Sequence, residues 1–243
     1  MIKSEELAAQ IEPFDSFWEG PSDVEKGYNK FLAFYKDNYL EHVPFDKSAR
    51  IIAVSCGPGY FINMLNKAGY TNSLGIDSRK SQIDWCKKNG LNCEQQRGFE
   101  YISSLDDNSV DAIFCEQELN HLTKDEIILW LDLCLKKLKS GGRLICHGLN
   151  GANPITGSES LAQNFDHYNT FTEYTFTQIL EWRGYKNIKV YPLNLYVFWK
   201  NPANYILLAA SGLLHLTFRA LFIMYGKANK LFTKKIGVVC IKP

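Results

Sequence analysis

The segment from Arg50 to Tyr60, Arg-Ile-Ile-Ala-Val-Ser-Cys-Gly-Pro-Gly-Tyr, constrains the fold of this 243-residue chain more than any other. Ile51 to Val54 is an apolar run, the composition of a strand buried on both faces. It stops at Ser55, and Gly57, Pro58 and Gly59 make a turn. Tyr60, Phe61, Met64 and Leu65 then recur at helical spacing. A strand, a glycine turn and a helix in that order bring backbone N–H groups and a helix N-terminus to one place, which suits a nucleotide or another anionic or carboxylate-bearing cofactor. The same unit also serves as a plain structural turn, so the flanking sequence has to decide between the two.

Strand and helix patterns alternate from Arg50 to about Leu193. Strands are predicted over 51–55, 72–77, 92–96, 110–115, 142–148 and 186–192. Helices are predicted over 59–68, 79–89, 99–104, 124–138 and 173–184. Gly141-Gly142 reads as the left-handed stop of the long fourth helix. Such alternation implies right-handed crossovers and a mostly parallel sheet covered by helices, with the ligand beyond the carboxyl ends of the strands.

Three segments flank this core (50–192). Residues 1–49 read as an N-terminal helical cap with an aromatic-rich amphipathic stretch from Val24 to Tyr39. Residues 193–234 break the rhythm with an aromatic linker (Tyr196, Phe198, Trp199) and an apolar run from Tyr205 to Met224. Ser211, His215 and Arg219 form a narrow polar stripe on that run. Residues 235–243 close the chain, with Ile236 to Lys242 as a final strand.

A hydrophobic content of 46% supports one large core. The net charge of +1, with acids and bases mixed along the chain, argues against general nucleic-acid binding. The first residues are acidic and carry no apolar signal core, so a cytoplasmic location is expected. The seven cysteines are scattered, odd in number and without a Cys-x-x-Cys pair. They read as reduced, buried thiols, and no His/Asp/Glu cluster has metal-ligand spacing, so no metal site is expected.

Further residues join the glycine turn. Asp77 ends the second predicted strand about twenty residues beyond the turn, where an acid accepts hydrogen bonds from ribose hydroxyls. Phe99, after the third strand, offers a face for an adenine. The fourth strand ends at Glu116 and runs on through Gln117, Glu118, Leu119, Asn120, His121 and Leu122. Leu138-Lys-Ser-Gly-Gly-Arg143 leads into the fifth, which ends near His147. Glu116 and Glu118 either hold cofactor or substrate or are solvated.

In this order and spacing, Arg50 to Val190 resembles the class I S-adenosylmethionine-dependent methyltransferases. Ile51 to Gly59 resembles their first cofactor motif, Gly75-Ile76-Asp77 their ribose-binding acid, Asp111 to Leu122 their strand-four motif, and Leu138 to Cys146 the approach to their fifth strand. The resemblance implies an α/β fold, a Rossmann-like three-layer sandwich with a mostly parallel seven-stranded sheet whose last strand is antiparallel. It implies S-adenosylmethionine as cofactor, held by Ser55, Cys56, Gly57, Gly59, Asp77, Phe99 and Glu116. Nicotinamide-binding proteins of similar topology want a third glycine, and here Tyr60-Phe61-Ile62 follows Gly59. Three positions depart from the family's habit: Ala53 and Arg97 stand where an acid is common, and Ser55 where glycine is common.

Methyl transfer from a sulfonium needs position and orientation, and a hydroxyl acceptor also needs a base. His121, His147 and His167 are the candidates. Asp166 is placed beside the last, within a segment that resembles the His-x-x-x-Phe-Thr of many small-molecule and sugar methyltransferases. The aromatic linker before the hydrophobic helix loosely resembles methyltransferases of bacterial surface-polysaccharide pathways, which implies a saccharide, nucleotide sugar or lipid-linked glycan as acceptor. The alternative is a catalytically degenerate binding or scaffold protein of the same fold. For the apolar run three readings stand: a lid over the acceptor pocket, a homodimer interface, or a peripheral contact with the inner face of a membrane through 205–235, with Arg219, Lys227, Lys230, Lys234 and Lys235 at the headgroups. His215 and Arg219 argue against a true span.

Overall fold

The computed structural model describes residues 21–116, 118–162, 164–165, 167–195 and 201–243. Among the described residues the first elements are two helices, α1 (Pro21–Lys30) and α2 (Leu32–Tyr39). Then follow β1 (Ile51–Val54), α3 (Tyr60–Lys67), β2 (Ser73–Asp77), α4 (Lys80–Lys88), β3 (Cys93–Gln95), α5 (Gly98–Ser104) and β4 (Val110–Glu116). After a short 3₁₀ turn at Glu118–Asn120 come α6 (Lys124–Lys137), β5 (Leu138–Leu149), α7 (Glu159–Ala162), α8 (Glu173–Trp182), β6 (Lys186–Pro192), α9 (Ala203–Met224) and β7 (Lys235–Ile241).

The seven strands form one sheet in the order β3-β2-β1-β4-β5-β7-β6. β7 runs antiparallel to both β5 and β6, and the other recorded pairings are parallel. The expected doubly covered sheet with an antiparallel last strand is therefore what the chain builds. Strand order reverses beside β1, between β2 and β4, so the glycine turn opens at the switch point of the sheet.

Period-two alternation sends side chains to opposite faces. Ile51, Ala53 and Phe114 join a core with Tyr39, Phe61 and Leu65 on the side of α1 to α3. Ile52, Val54 and Ile113 join the second, with Trp130, Phe176 and Tyr185 on the side of α5, α6 and α8. This burial on both faces explains why β1 reads as an unbroken apolar run.

Two expectations are corrected. Gly141-Gly142 is not the stop of the long helix α6, whose predicted end at 138 is met to within one residue. The helix ends at Lys137, and Leu138 is already extended (φ −63°, ψ 143°) because it pairs with Val110 ahead of a bulge. Gly141 still adopts a left-handed φ of +76°, in the strand's bent start rather than at a helix end. A Cβ on Gly142 would stand 2.7 Å from the Lys139 carbonyl oxygen, so the bend requires a glycine there. The second correction concerns the cap: helix stops at Tyr39, and residues 40–49 are turn and loop. Residues 1–20 and the linker aromatics Tyr196, Phe198 and Trp199 lie outside the described residues.

Candidate active site

At the end of β1 the chain enters the left-handed region three times in five residues: Ser55 at φ +53°, Gly57 at +53° and Gly59 at +83°. Two glycines relieve the crowding that a Cβ causes there, and Ser55 carries a cost of order 1 kcal/mol. The turn is tied down on both sides. Cys56 N–H donates to Ile76 O (3.0 Å), and Gly59 N–H to Cys56 O (3.0 Å) as Gly59 opens α3. From above, Tyr28 of α1 donates its hydroxyl to Pro58 O (2.6 Å). Burial pushes the Tyr28 phenol well above its ordinary range, so it remains a donor.

Asp77 is 3% exposed and clasps this turn. Its Oδ2 accepts from Gly57 N–H (2.9 Å), and its Oδ1 from Arg79 N–H (2.9 Å). The Arg79 guanidinium reaches both oxygens, Nε to Oδ1 at 3.1 Å and Nη2 to Oδ2 at 3.3 Å. The four acceptor directions of the carboxylate are thus all addressed by its own chain. Sequence reasoning found the acid and missed the arginine, whose only signal was its place two residues downstream.

Beneath the turn lie three cysteines that spacing along the chain did not connect. The Sγ atoms of Cys56, Cys86 and Cys93 lie within 4.8 Å of one another, and all three residues are buried. The reading of buried free thiols holds, but the cysteines are not scattered in space, and three such thiols could hold a soft cation. Hydrogen bonds from the Cys56 and Cys86 thiols hold Cys93 below the ordinary thiol range. The cluster fills the room that Gly59 and Gly75 leave: a Cβ on Gly75 would stand 2.7 Å from Cys93 Sγ and 2.8 Å from Cys56 Sγ.

Phe99 lies in the first turn of α5, half-buried, with its ring edge-on to Trp130 at 4.9 Å. Ala53 is fully buried in the centre of β1, and Arg97 is exposed with Glu100 at 3.9 Å. Glu116 ends β4 in register with His147. The side chains of Glu116 and Glu118, and all of Gln117 and Asp166, lie outside the described residues.

The three histidines divide into two places. His121 and His167 meet with ring centroids 4.8 Å apart, near edge-on. His167 is 8% exposed, and its Nδ1 lies 2.7 Å from Ser160 O, a carbonyl that can only accept. That contact places the proton on Nδ1 and the lone pair on Nε2, to which Asn164 Nδ2 points at 3.4 Å. The loop bearing His167 is stitched to the end of β4: Asn120 donates to Asn169 O (2.5 Å), Asn169 donates to Leu122 O, and Asn120 O accepts from Tyr168 N–H (2.9 Å). Asn120 and Asn169 carry no role that the sequence reveals, because amides in loops are common.

His147 is elsewhere, fully buried in β5 under an aromatic cluster. Its Nδ1 is hydrogen-bonded to the Tyr39 hydroxyl, and its ring stacks 5.8 Å from that of Tyr39. Burial, with the Lys235 charge adding, holds its pKa well below the ordinary 6.5, so the ring is neutral.

The turn at a sheet switch point, its clasping acid and the seven-stranded order define a class. The chain has the fold of the S-adenosylmethionine-dependent methyltransferases. Residues 52–146 match a family model described as a methyltransferase domain. An S-adenosylmethionine-dependent methyltransferase from Archaeoglobus fulgidus superposes with a TM-score of 0.66 at 17% identity, over 94% of this chain and 98% of that one. Phosphoethanolamine N-methyltransferase 2 of Haemonchus contortus, solved with phosphomonomethylethanolamine and S-adenosylhomocysteine, gives 0.63 at 14% identity over 100% of this chain and 61% of its own. Geranyl diphosphate C-methyltransferase of Streptomyces coelicolor gives 0.59 at 14%, over 93% and 85%. The sequence matches none of the curated proteins. Residues 52–146, the part of the chain that the family model matches, thus lie within the fold of a methyltransferase domain.

Proposed function

We propose that this protein transfers the methyl group of S-adenosylmethionine to a hydroxyl of a small molecule, a saccharide or nucleotide sugar by preference. One observation carries the hydroxyl reading: His167 is fixed with Nδ1 on a carbonyl and Nε2 as acceptor, the state a general base requires. The residues fit the cofactor. A Cβ on Gly57 would meet nothing within 4 Å, so a ligand can approach the backbone there, and the Asp77 carboxylate lies against the same peptide. S-adenosylmethionine supplies a methyl group already activated on sulfonium. The turn would hold and orient it, Asp77 would accept from its ribose hydroxyls in place of the Arg79 guanidinium, and helix α1 braces the turn through Tyr28. His167 Nε2 takes the acceptor's proton, and Ser160 O keeps the ring in register. His121 packs edge-on against that ring and limits its rotation. His147, neutral and hydrogen-bonded to Tyr39, shapes the core beneath β5.

Calorimetry with S-adenosylmethionine and S-adenosylhomocysteine tests the cofactor. Labelled methyl transfer to saccharides and nucleotide sugars, beside phosphoethanolamine and a prenyl diphosphate, tests the acceptor. His167→Gln is expected to slow turnover by roughly 10²–10⁴-fold with cofactor affinity unchanged. Label entering only the amine or prenyl substrates would end the saccharide reading. The alternative, a binding protein without turnover, draws on the Arg79 side chain that engages Asp77 where ribose hydroxyls would bind. Cofactor binding without transfer to any acceptor favours it.

A further inference from the structure

We propose that α9 is a membrane-surface anchor, lying in the plane of an anionic bilayer at the boundary between headgroups and acyl chains. The helix has 22 residues, and its most apolar 18-residue window has a mean hydropathy of 1.8, with none of that window buried in the molecule. Among its residues only Asn204 is buried, while Leu208, Ser211, His215, Phe218 and Phe222 are half-buried, a stripe at three- and four-residue spacing. Phe218 and Phe222 seat the C-terminal half on Phe232, with ring centroids 6.0 and 4.7 Å apart.

Everything outside that stripe is open. Ile206, Leu213, Leu216, Leu221, Ile223 and Met224 are 45–79% exposed. At 3.6 residues per turn they cover about half the circumference. No charged residue falls within that arc; Arg219 projects beside the inner stripe. Thr217 does fall within it, and its hydroxyl donates to Leu213 O (3.0 Å), the internal satisfaction that hydrocarbon demands of a hydroxyl.

Charge points to the same occupant. Acids and bases are not mixed along the whole chain, as composition had implied. Glu181 is the last acid; the 62 residues after it carry ten Lys and Arg, and the preceding 181 have a net charge of −9. Lys227, Lys230 and Lys234 follow directly on the apolar helix. A second copy would cover only a stripe of the open arc and would set two acid-free segments against each other. A spanning orientation would take His215 and Arg219 into hydrocarbon. A bilayer surface covers the whole arc and pairs the lysines with anionic headgroups.

The helix is tied to the ligand end of the sheet. Asn150, beyond the carboxyl end of β5, donates to Leu231 O (3.0 Å) and Thr233 O (2.9 Å), and Asn153 donates to Phe232 O (2.6 Å). Docking therefore sets the mouth of the site beside the lipid, where a lipid-linked acceptor is presented; this last consequence rests on the methyltransferase reading, and the docking does not.

Flotation of the full chain with vesicles of phosphatidylcholine, with and without phosphatidylglycerol, is the test, and it needs no catalysis. Wild type is expected to float with the anionic vesicles and to be released by salt. The triple variant Leu213→Glu/Leu216→Glu/Ile223→Glu changes only exposed positions, and circular dichroism checks its fold; its binding should fall about tenfold or more. Lys227→Gln and Lys230→Gln should each cost about five-fold, on anionic vesicles alone. A wild-type chain that ignores both vesicles overturns the proposal. So does a dimer in vesicle-free buffer that the triple variant converts to monomer while vesicles capture neither.

Discussion

The contact between Asp77 and Arg79 holds most of what is unusual about the proposed cofactor site. Asp77 joins β2 to the glycine turn through Gly57 N–H, so its carboxylate serves the fold before it serves a ligand. Asp77→Ala leaves buried donors unanswered, which costs about 1–3 kcal/mol. S-adenosylmethionine affinity should fall at least tenfold by calorimetry. Arg79→Ala is expected to bind the cofactor as tightly as wild type or more tightly, because ribose hydroxyls no longer compete with a guanidinium. A tenfold loss instead would show that Arg79 itself holds the ligand. His147 gives the second prediction at this scale. Burial lowers its folded pKa below the unfolded value near 6.5, so the unfolded chain binds more protons around that pH. Its contribution is complete above about pH 6.5 and is lost as pH falls below it. Melting temperature should therefore drop on acidification from pH 7 to about 5. The drop should be shallower in His147→Gln, which keeps a polar partner for Tyr39, and His42, also lowered by burial, supplies the remaining slope.

Among the elements, β2 and the turn share one packing problem. Cys56, Cys86 and Cys93 occupy the space that Gly59 and Gly75 vacate, so the turn rests on sulfur rather than on a side chain of its own. Gly75→Ala drives a methyl group into two thiols at once. The overpacking should destabilise the chain by about 1–3 kcal/mol in urea unfolding and displace the peptide that bears Gly57. A silent Gly75→Ala would mean that the thiols move aside freely. The element boundaries show how pattern and pairing compete. Thr123 and Glu126 form the capping box that starts α6, and both residues are legible in sequence. The end of α6 was legible to within a residue, 138 against Lys137, but the role of Gly141-Gly142 was not: the pair carries the composition of a helix stop, yet the pairing of Leu138 with Val110 starts β5 at 138 rather than 142, so both glycines lie in the strand.

Across the whole molecule, ligand binding and stability are linked. If S-adenosylmethionine binds only the folded chain, a hundredfold excess over its Kd adds about 2.7 kcal/mol. For a chain of this length that is roughly 5–10 °C in melting temperature, read by calorimetry or fluorescence. S-adenosylhomocysteine should act in the same direction, and a melting temperature indifferent to both would remove the cofactor assignment.

The sequence by itself determined the sheet, because both-face burial and right-handed crossovers leave few arrangements for strands and helices that alternate. It determined the glycine turn and Asp77, because left-handed backbone and a clasping carboxylate demand particular residues at fixed spacing. Only the tertiary structure decided which distant groups meet. It drew Cys56, Cys86 and Cys93 together, set His167 beside His121, and buried His147 against Tyr39. It also turned an apolar run, which composition allows to be core or surface, into a helix open along half its girth. The physical reason is the range of the information. Local backbone preference and periodicity are written within a few residues, whereas side-chain neighbours across the fold are set by packing of the whole chain.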